Sequence, residues 1–430
     1  MNPPDPSARQ RLTNIVGGSA GNLVEWFDWY VYAAFALYFA PSFFPEGDQT
    51  AQLLSTAAVF AVGFFMRPIG AWVMGIYADH RGRKAGLSLS VSLMCLGSLA
   101  IAVAPTYESA GLLSPAILVI ARMVQGISLG GEYGSSATYL SEIADRGRRG
   151  FWSSFLYVTI IGGQLCALAL LLLLQAMLGE EAMQVWGWRI GFGVGAVLAV
   201  VVFVIRRRLS ETQSYENVAK APTRRRSTML NLMRHHPREV LLVIAITAGG
   251  TAAFYTYTIY LQKFLVNTSG FDRATASRIM TVALALMLIL QPIAGKLSDR
   301  LGRRPMMIFF GVCGTVLTYP IFTMLAGTSS ELAAFALVMS ALVMITGYTS
   351  INAIVKAELF PADIRALGVA LPYALANTLF GGTAEYIALW FKGIGHENWF
   401  YIYISLLSAA YLLAVLRMRE TKLTSQILED

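Results

Sequence analysis

Charge is scarce in this chain. Only 13% of its 430 residues are Asp, Glu, Lys or Arg, while 56% are hydrophobic, against roughly a quarter charged in an ordinary soluble domain. Cysteine is scarcer still. Cys95, Cys166 and Cys313 each lie in an apolar run without metal-ligand spacing, so neither a disulfide framework nor a zinc site is expected. The four histidines are scattered, with His235 and His236 in a basic stretch, and no metal site is expected from them either. GISLGGEYG at 126–134 and IIGG at 160–163 follow no strand and carry no phosphate-loop lysine, so they read as close helix contacts, not nucleotide loops. With no nucleophile, metal cluster or cofactor motif in view, an enzyme is not expected, and protons are the only coupling species called for.

What the chain has in abundance is long apolar runs. Spans of roughly 20 mainly apolar residues, enough to cross the hydrocarbon core, recur at 13–40, 53–78, 86–104, 114–140, 150–178, 187–206, 239–266, 274–295, 306–326, 332–355, 366–391 and 398–416. The fold class expected is therefore an all-α integral membrane protein with twelve transmembrane helices. MNPPDPSARQRL is polar and runs straight into the first span, so no cleavable signal is expected. Trp186, Trp188, Trp399 and Tyr401 fall near span ends and read as interfacial belt residues.

The net charge of +8 resolves into topology. With the N-terminus in the cytoplasm, 26 of the 33 Lys and Arg fall in segments on that side, as the positive-inside rule requires. Nine of them sit in the longest polar interval, 206–238, which reads as a solvated linker with no nucleic-acid role. The division expected is an N-terminal half at 1–206, a basic cytoplasmic linker at 207–238 and a C-terminal half at 239–430, with both termini cytoplasmic.

The two halves repeat. GIYADHRGRK at 75–84 and GKLSDRLGRR at 295–304 share G-x-x-x-D-x-x-G-R-[KR], each after the second span of its half. Two spans later, YLSEIADRGRRG at 139–150 and KAELFPADIRALG at 356–368 each carry a Glu followed by an Arg. The order is the same, which makes the halves parallel six-span repeats. Asp79, Arg83, Glu142, Asp299, Arg303 and Glu358 are the expected gate, ion pairs that form in one shape and break in another.

Charges inside the spans need a reason, since each costs about 2.5–3.5 kcal/mol at the bilayer centre on insertion scales. In GNLVEWFDWYVYAAFALYF at 21–39, Glu25 and Asp28 stand three apart and share a helix face. Together with Glu132 they are the expected proton carriers. Arg122, Lys263 and Arg67 are the expected carboxylate partners, because Arg clamps a carboxylate through two parallel hydrogen bonds and Lys acts as a point charge. A direct pair between Asp28 or Glu25 and Arg122 would let one proton decide whether the arginine is free. Glu385, near the end of its span, reads as a rim pair. Tyr30, Gln164, Tyr255, Tyr257, Asn352, Tyr373 and Asn377 occur at mid-span depth and are candidates to line a polar cavity.

The duplicated loop, with ARMVQG at 121–126, resembles the major facilitator superfamily, and GNLVEWFDWYVY, FFMRPIG, QGISLGGEYG and ELFPADIRALG resemble its metabolite:proton symporter branch. The resemblance implies two six-helix halves facing each other across a central cavity, and import of an organic acid or compatible solute with protons by alternating access. Carriers of other solutes in that branch usually lack a charge at the position of Lys263. Its presence favours a dicarboxylate, alpha-ketoglutarate ahead of citrate, shikimate or an aromatic-degradation acid. A monomer in a bacterial inner membrane is the expected setting. A membrane sensor on the same scaffold is the remaining alternative, and a linker and tail this short leave little room for a signalling domain.

Overall fold

The structure is a computed structural model that describes residues 8–45, 47–81, 83–130, 137, 141, 146–207, 229–361 and 364–427. Twelve long helical segments account for most of them. In the first half these are α1 (Ala8–Phe43), α2 (Gln49–Arg81), α3 (Arg83–Val103), α4 (Leu113–Leu129), α5 (Arg149–Ala182) and α6 (Trp188–Arg207). The second half begins with α7, formed by Pro237–Tyr255, a π-turn Thr256–Tyr260 and Leu261–Asn267. It continues with α8 (Arg273–Leu301), α9 (Arg303–Ala326), α10 (Glu331–Thr349) and α11, formed by Arg365–Ala376, a π-turn Asn377–Gly381 and Ala384–Gly393. A short helix, Asn352–Glu358, follows α10, and α12 (Glu397–Arg417) closes the bundle.

Helices are the natural outcome for such runs, because lipid offers backbone N–H and C=O groups no partner and an α-helix satisfies them internally. By length and apolarity alone seven of the described segments qualify as crossings, and one of these, Arg149–Val204, is long enough to cross twice. Several others are shorter or carry buried charge, as the runs around Asp28 and Arg122 do. The outer faces are apolar, with Val103, Ile120, Met177, Val316 and Leu406 each more than half exposed, a surface suited to lipid and costly in water.

The repeat appears as packing. In the first half α1 packs on α5 and α6, α2 on α4, and α3 on α4 and α6; α7, α8 and α9 take the corresponding partners six helices later. The crossing of α2 and α4 is made by glycine: a Cβ on Gly126 would stand 2.0 Å from the Gly63 oxygen, and one on Gly130 2.1 Å from the Arg67 oxygen. Backbones this close need small residues at the contact. This brings Arg67 of α2 beside α4.

Two helices from each half form the seam, with α5 lying along α8 and α2 along α11. The halves touch at both ends of it. At the end bearing Arg303, Asp299 of α8 accepts hydrogen bonds from the Gly150 and Phe151 amides of α5 at 2.8 and 2.9 Å. At the opposite end Arg273 of α8 pairs with Glu180 of α5 at 2.5 Å, and Asn267 donates to Thr50 at 3.3 Å. Gly179, at φ 75, breaks the α5 helix immediately before Glu180, a backbone conformation that glycine adopts without strain.

Two of the four expected belt residues are elsewhere. Trp186 and Trp399 are exposed, but Trp188 is buried against Phe39, Phe43 and Phe192, and Tyr401 against Phe264 and Phe322. Nearness to a span end does not say which face of the helix a ring occupies.

Candidate functional site

The buried charges of the first half converge on one indole. The Trp29 ring has the Arg122 guanidinium 3.8 Å from its centroid and the Arg67 guanidinium at 4.3 Å. Arg122 also lies over Tyr32 at 4.4 Å, and Arg67 over Phe64 at 4.0 Å. Aromatic faces attract cations when water is excluded, so the rings hold both arginines without neutralising them. In both guanidiniums Nε and Nη2 have no hydrogen-bond partner among the described residues. Those are donors open to a carboxylate.

Asp28 does not bond Arg122 directly. Arg122 Nη1 donates to Gln125 Oε1 at 2.9 Å, and Gln125 Nε2 donates to Asp28 Oδ2 at 2.8 Å and to Ser98 Oγ at 2.9 Å. Ser98 donates to the other carboxylate oxygen of Asp28. The direct pair expected between acid and arginine is thus a relay through a neutral amide. Its space comes from α6, where a Cβ on Gly195 would lie 2.2 Å from Asp28 Oδ1. Glu25, one turn earlier on α1, is buried too.

A small cavity lies between the halves, lined by Tyr30 and Ala34 of α1, Gln164 of α5, and Thr258 and Gln262 of α7. Gln164 donates to the Thr258 oxygen at 2.5 Å. Tyr30 connects the cavity to the cations, standing within electrostatic reach of Arg67 and of Tyr157, Tyr255 and Tyr373. Asn377, in the α11 π-turn, faces Tyr255. Asn352 donates to the Thr349 oxygen and accepts from Lys356.

In the second half Lys263 pairs with Glu385 of α11, the two 1% and 4% exposed. Glu385, read from its position as a rim pair, is inside the bundle and within electrostatic reach of Tyr32 and Tyr260. Tyr257 turns the other way. Its hydroxyl shares a 2.5 Å hydrogen bond with Thr318 of α9, so the structure does not bring it to the cavity that its helix neighbours Thr258 and Ile259 line.

Over residues 19–384 and 250–426 the sequence matches the Major Facilitator Superfamily. The chain belongs to the major facilitator superfamily. This facilitator is 51% identical to the alpha-ketoglutarate permease of Escherichia coli over 96% of its own length and 95% of the relative's. It is 33% identical to the citrate-proton symporter of Klebsiella pneumoniae, over 88% and 85% of the two chains. Among solved structures, the xylose transporter XylE from E. coli in a partially occluded inward-open conformation superposes with a TM-score of 0.73 at 18% identity, covering 94% and 96% of the two chains. At that identity the likeness speaks for the fold, twelve helices in two six-helix repeats. The chain is a multi-pass membrane transporter and not an enzyme.

Three of the six expected gate residues are close together. Arg303 bonds Asp299 at 2.8 Å and lies 3.6 Å from Glu358, with its side chain 1% exposed. Glu132 and Glu142 lie outside the described residues, as do the side chains of Asp79 and Arg83. Sequence reasoning missed Gln125 and Ser98, since neutral polar residues raise no alarm in an apolar run. It also missed Lys356, fully buried with its ammonium 4.3 Å from the Tyr373 ring centroid; the only signal was its place between Asn352 and Glu358.

Proposed function

We propose that this facilitator imports an organic acid together with protons, and that the acid is a dicarboxylate of the alpha-ketoglutarate class. The observation that carries the reading is the 51% identity to a permease for alpha-ketoglutarate along essentially the whole of both chains. The chemistry of the site supports it: three buried cations, Arg67, Arg122 and Lys263, surround a seam whose polar lining includes Tyr30, Gln164, Tyr373 and Asn377. Asp28 is the proton carrier of the first half, with Glu25 beside it on α1 and Glu132 named from its place in the sequence. A proton on Asp28 weakens its hold on the Gln125 relay and frees Arg122 for a substrate carboxylate. When substrate leaves, the relay closes again.

The gate belongs to the same reading. Asp299, Arg303 and Glu358 hold one end of the seam shut, with Asp79, Arg83 and Glu142 as the corresponding set of the first half. The excess of basic residues in the sequence supports a cytoplasmic position for that end, for both termini and for the linker at 207–238, in a bacterial inner membrane. The seam is built from one chain, so a monomer is a complete carrier.

Uptake of labelled alpha-ketoglutarate into proteoliposomes under imposed pH and voltage gradients tests substrate and coupling together. Uptake indifferent to collapse of the pH gradient defeats proton symport. The relative that is a citrate-proton symporter favours one second reading, another organic acid as substrate, and citrate out-competing alpha-ketoglutarate would select it.

A further inference from the structure

Glu385 is a carboxylate inside the bundle that the reading above leaves without a role. Its partner Lys263 comes from a different helix, and each stands just past a π-turn, Thr256–Tyr260 in α7 and Asn377–Gly381 in α11. Such turns mark places where a helix redirects its axis, often at functional sites. The π-turn of α11 and the glycine that follows it also carry a contact between the halves. Thr378 donates to the Phe64 oxygen of α2 at 3.0 Å, and a Cβ on Gly382 would meet the Phe64 side chain at 2.4 Å. Whatever loosens Lys263 from Glu385 therefore acts on the seam.

The groups facing Glu385 are Lys263 and Tyr260 from α7 and Tyr32 from α1, and Tyr260 is tied in turn to Glu397 of α12. Lys263 is its one cationic partner among the described residues. The first half holds a unit of the same composition, Arg122 of α4 joined to Asp28 of α1 through Gln125. Each half thus pairs one buried cation with one buried acid of its own.

We infer that Glu385 is a second proton carrier, so that each half takes up one proton and offers one cation to one carboxylate of the substrate. This rests on the reading of the protein as a proton-coupled dicarboxylate importer. Two protons from outside become the O–H hydrogens of Asp28 and Glu385, and the two negative charges of the substrate replace theirs beside Arg122 and Lys263. On the inner side the dianion leaves, both protons follow, and each carboxylate returns to its cation. Two protons and one dianion cross, with no net charge.

The full-length protein in proteoliposomes, with labelled alpha-ketoglutarate, a pH dye and a potassium diffusion potential, tests it. The wild type is expected to move two protons per substrate, with accumulation insensitive to voltage. Glu385→Gln is expected to move one, so that an inside-negative potential of 100 mV lowers its steady-state accumulation roughly 50-fold, while counterflow exchange stays measurable with a flattened pH dependence. Glu385→Asp, which keeps a titratable group, is expected to keep two. A ratio of two in E385Q, or of one in E385D or the wild type, overturns the inference. Loss of counterflow in E385Q overturns it as well, because the pair is then a structural strut. A wild type that does not take up alpha-ketoglutarate defeats the transport reading instead, before any variant is measured.

Discussion

Replacing Arg122 with lysine keeps the charge and removes the fork. In the structure one guanidinium nitrogen, Nη1, serves Gln125, while Nε and Nη2 have no partner among the described residues. Two donors of one planar group can therefore grip a carboxylate once Asp28 is protonated and the relay loosens. A lysine ammonium is a single centre, and its contact with the Trp29 and Tyr32 faces lacks the planar stacking of a guanidinium. The loss amounts to one charge-assisted hydrogen bond, about 1.5–3 kcal/mol. At 1.4 kcal/mol per decade this predicts a rise of about 10- to 150-fold in KM for alpha-ketoglutarate, with a smaller change in maximal rate, because the interaction removed is one that holds substrate. Initial rates of proton-driven uptake over a substrate series give both parameters. Arg122→Gln, which has no charge to offer, should be worse than lysine. A lysine variant within threefold of wild type in KM refutes the clamp and leaves Arg122 a structural cation among aromatic rings.

The two ends of the seam should respond in opposite directions. Asp299→Asn weakens the charge-assisted bonds to the Gly150 and Phe151 amides, and Glu180→Gln weakens the pair with Arg273; a loss of about 1.4 kcal/mol at either end shifts the balance of open forms tenfold. Thiol labelling of single cysteines placed along the seam should rise from the Asp299 side in the first variant and from the Glu180 side in the second, and equal labelling from both sides in either variant counts against a gate. Asp272 caps α8, accepting from the Thr275 amide at 2.9 Å, and hydrogen bonds from the Thr275 hydroxyl and then from that amide hold its carboxyl below the usual value. A group with a depressed folded pKa adds stability above its unfolded value near 3.8 and loses it as pH falls through the lower folded value. Asp272→Ala should therefore cost about 1 kcal/mol at neutral pH, and the melting difference from wild type should shrink below pH 4; a constant difference down to pH 3 rules out the charged cap.

How much of this was legible in the sequence depended on whether a residue type carries a penalty in lipid. Arg67, Arg122, Asp28 and Lys263 announce themselves because a charge in a span needs an explanation, and the structure places all of them inside. Which charge meets which was not legible. Face and depth along one helix follow from a period of 3.6, but the neighbouring helix and its rotation follow from side-chain packing. Gln125 separates Asp28 from Arg122 because it follows Arg122 by three residues on the same face of α4, and a glutamine in an apolar run looks unremarkable. Gly195, 167 residues from Asp28 in the chain, is the gap that admits the carboxylate, and no local pattern connects the two. Glu385 stood close enough to the end of an apolar run to pass for a rim residue until α7 was placed beside it. The span limits differ for another reason: α2 runs over Gln49–Arg81 where the apolar stretch is 53–78, since helix continues past the edge of the hydrocarbon once a turn has formed.

Buried ion pairs seldom stabilise a fold better than apolar packing would, so three cations between the halves need a use other than holding them together. Two of the three are engaged by an acid and can be switched by a proton, Arg122 through Gln125 and Lys263 by Glu385. Arg67 differs: no acid is paired with it among the described residues, and around it lie the rings of Trp26, Trp29 and Phe64, at 5.4, 4.3 and 4.0 Å, and the Tyr255 hydroxyl, its hydrogen-bond partner. Rings and a neutral hydroxyl leave its charge uncompensated, with Nε and Nη2 unpartnered among the described residues, so its pull on an anion is the same at every stage of the cycle. A constant pull contributes affinity, while a switched one sets how many protons each substrate requires. Arg67→Gln should therefore raise KM for alpha-ketoglutarate while the proton ratio stays at the wild-type value. A variant in which the ratio falls instead would place Arg67 within the switch, and the division between constant and switched cations would fail.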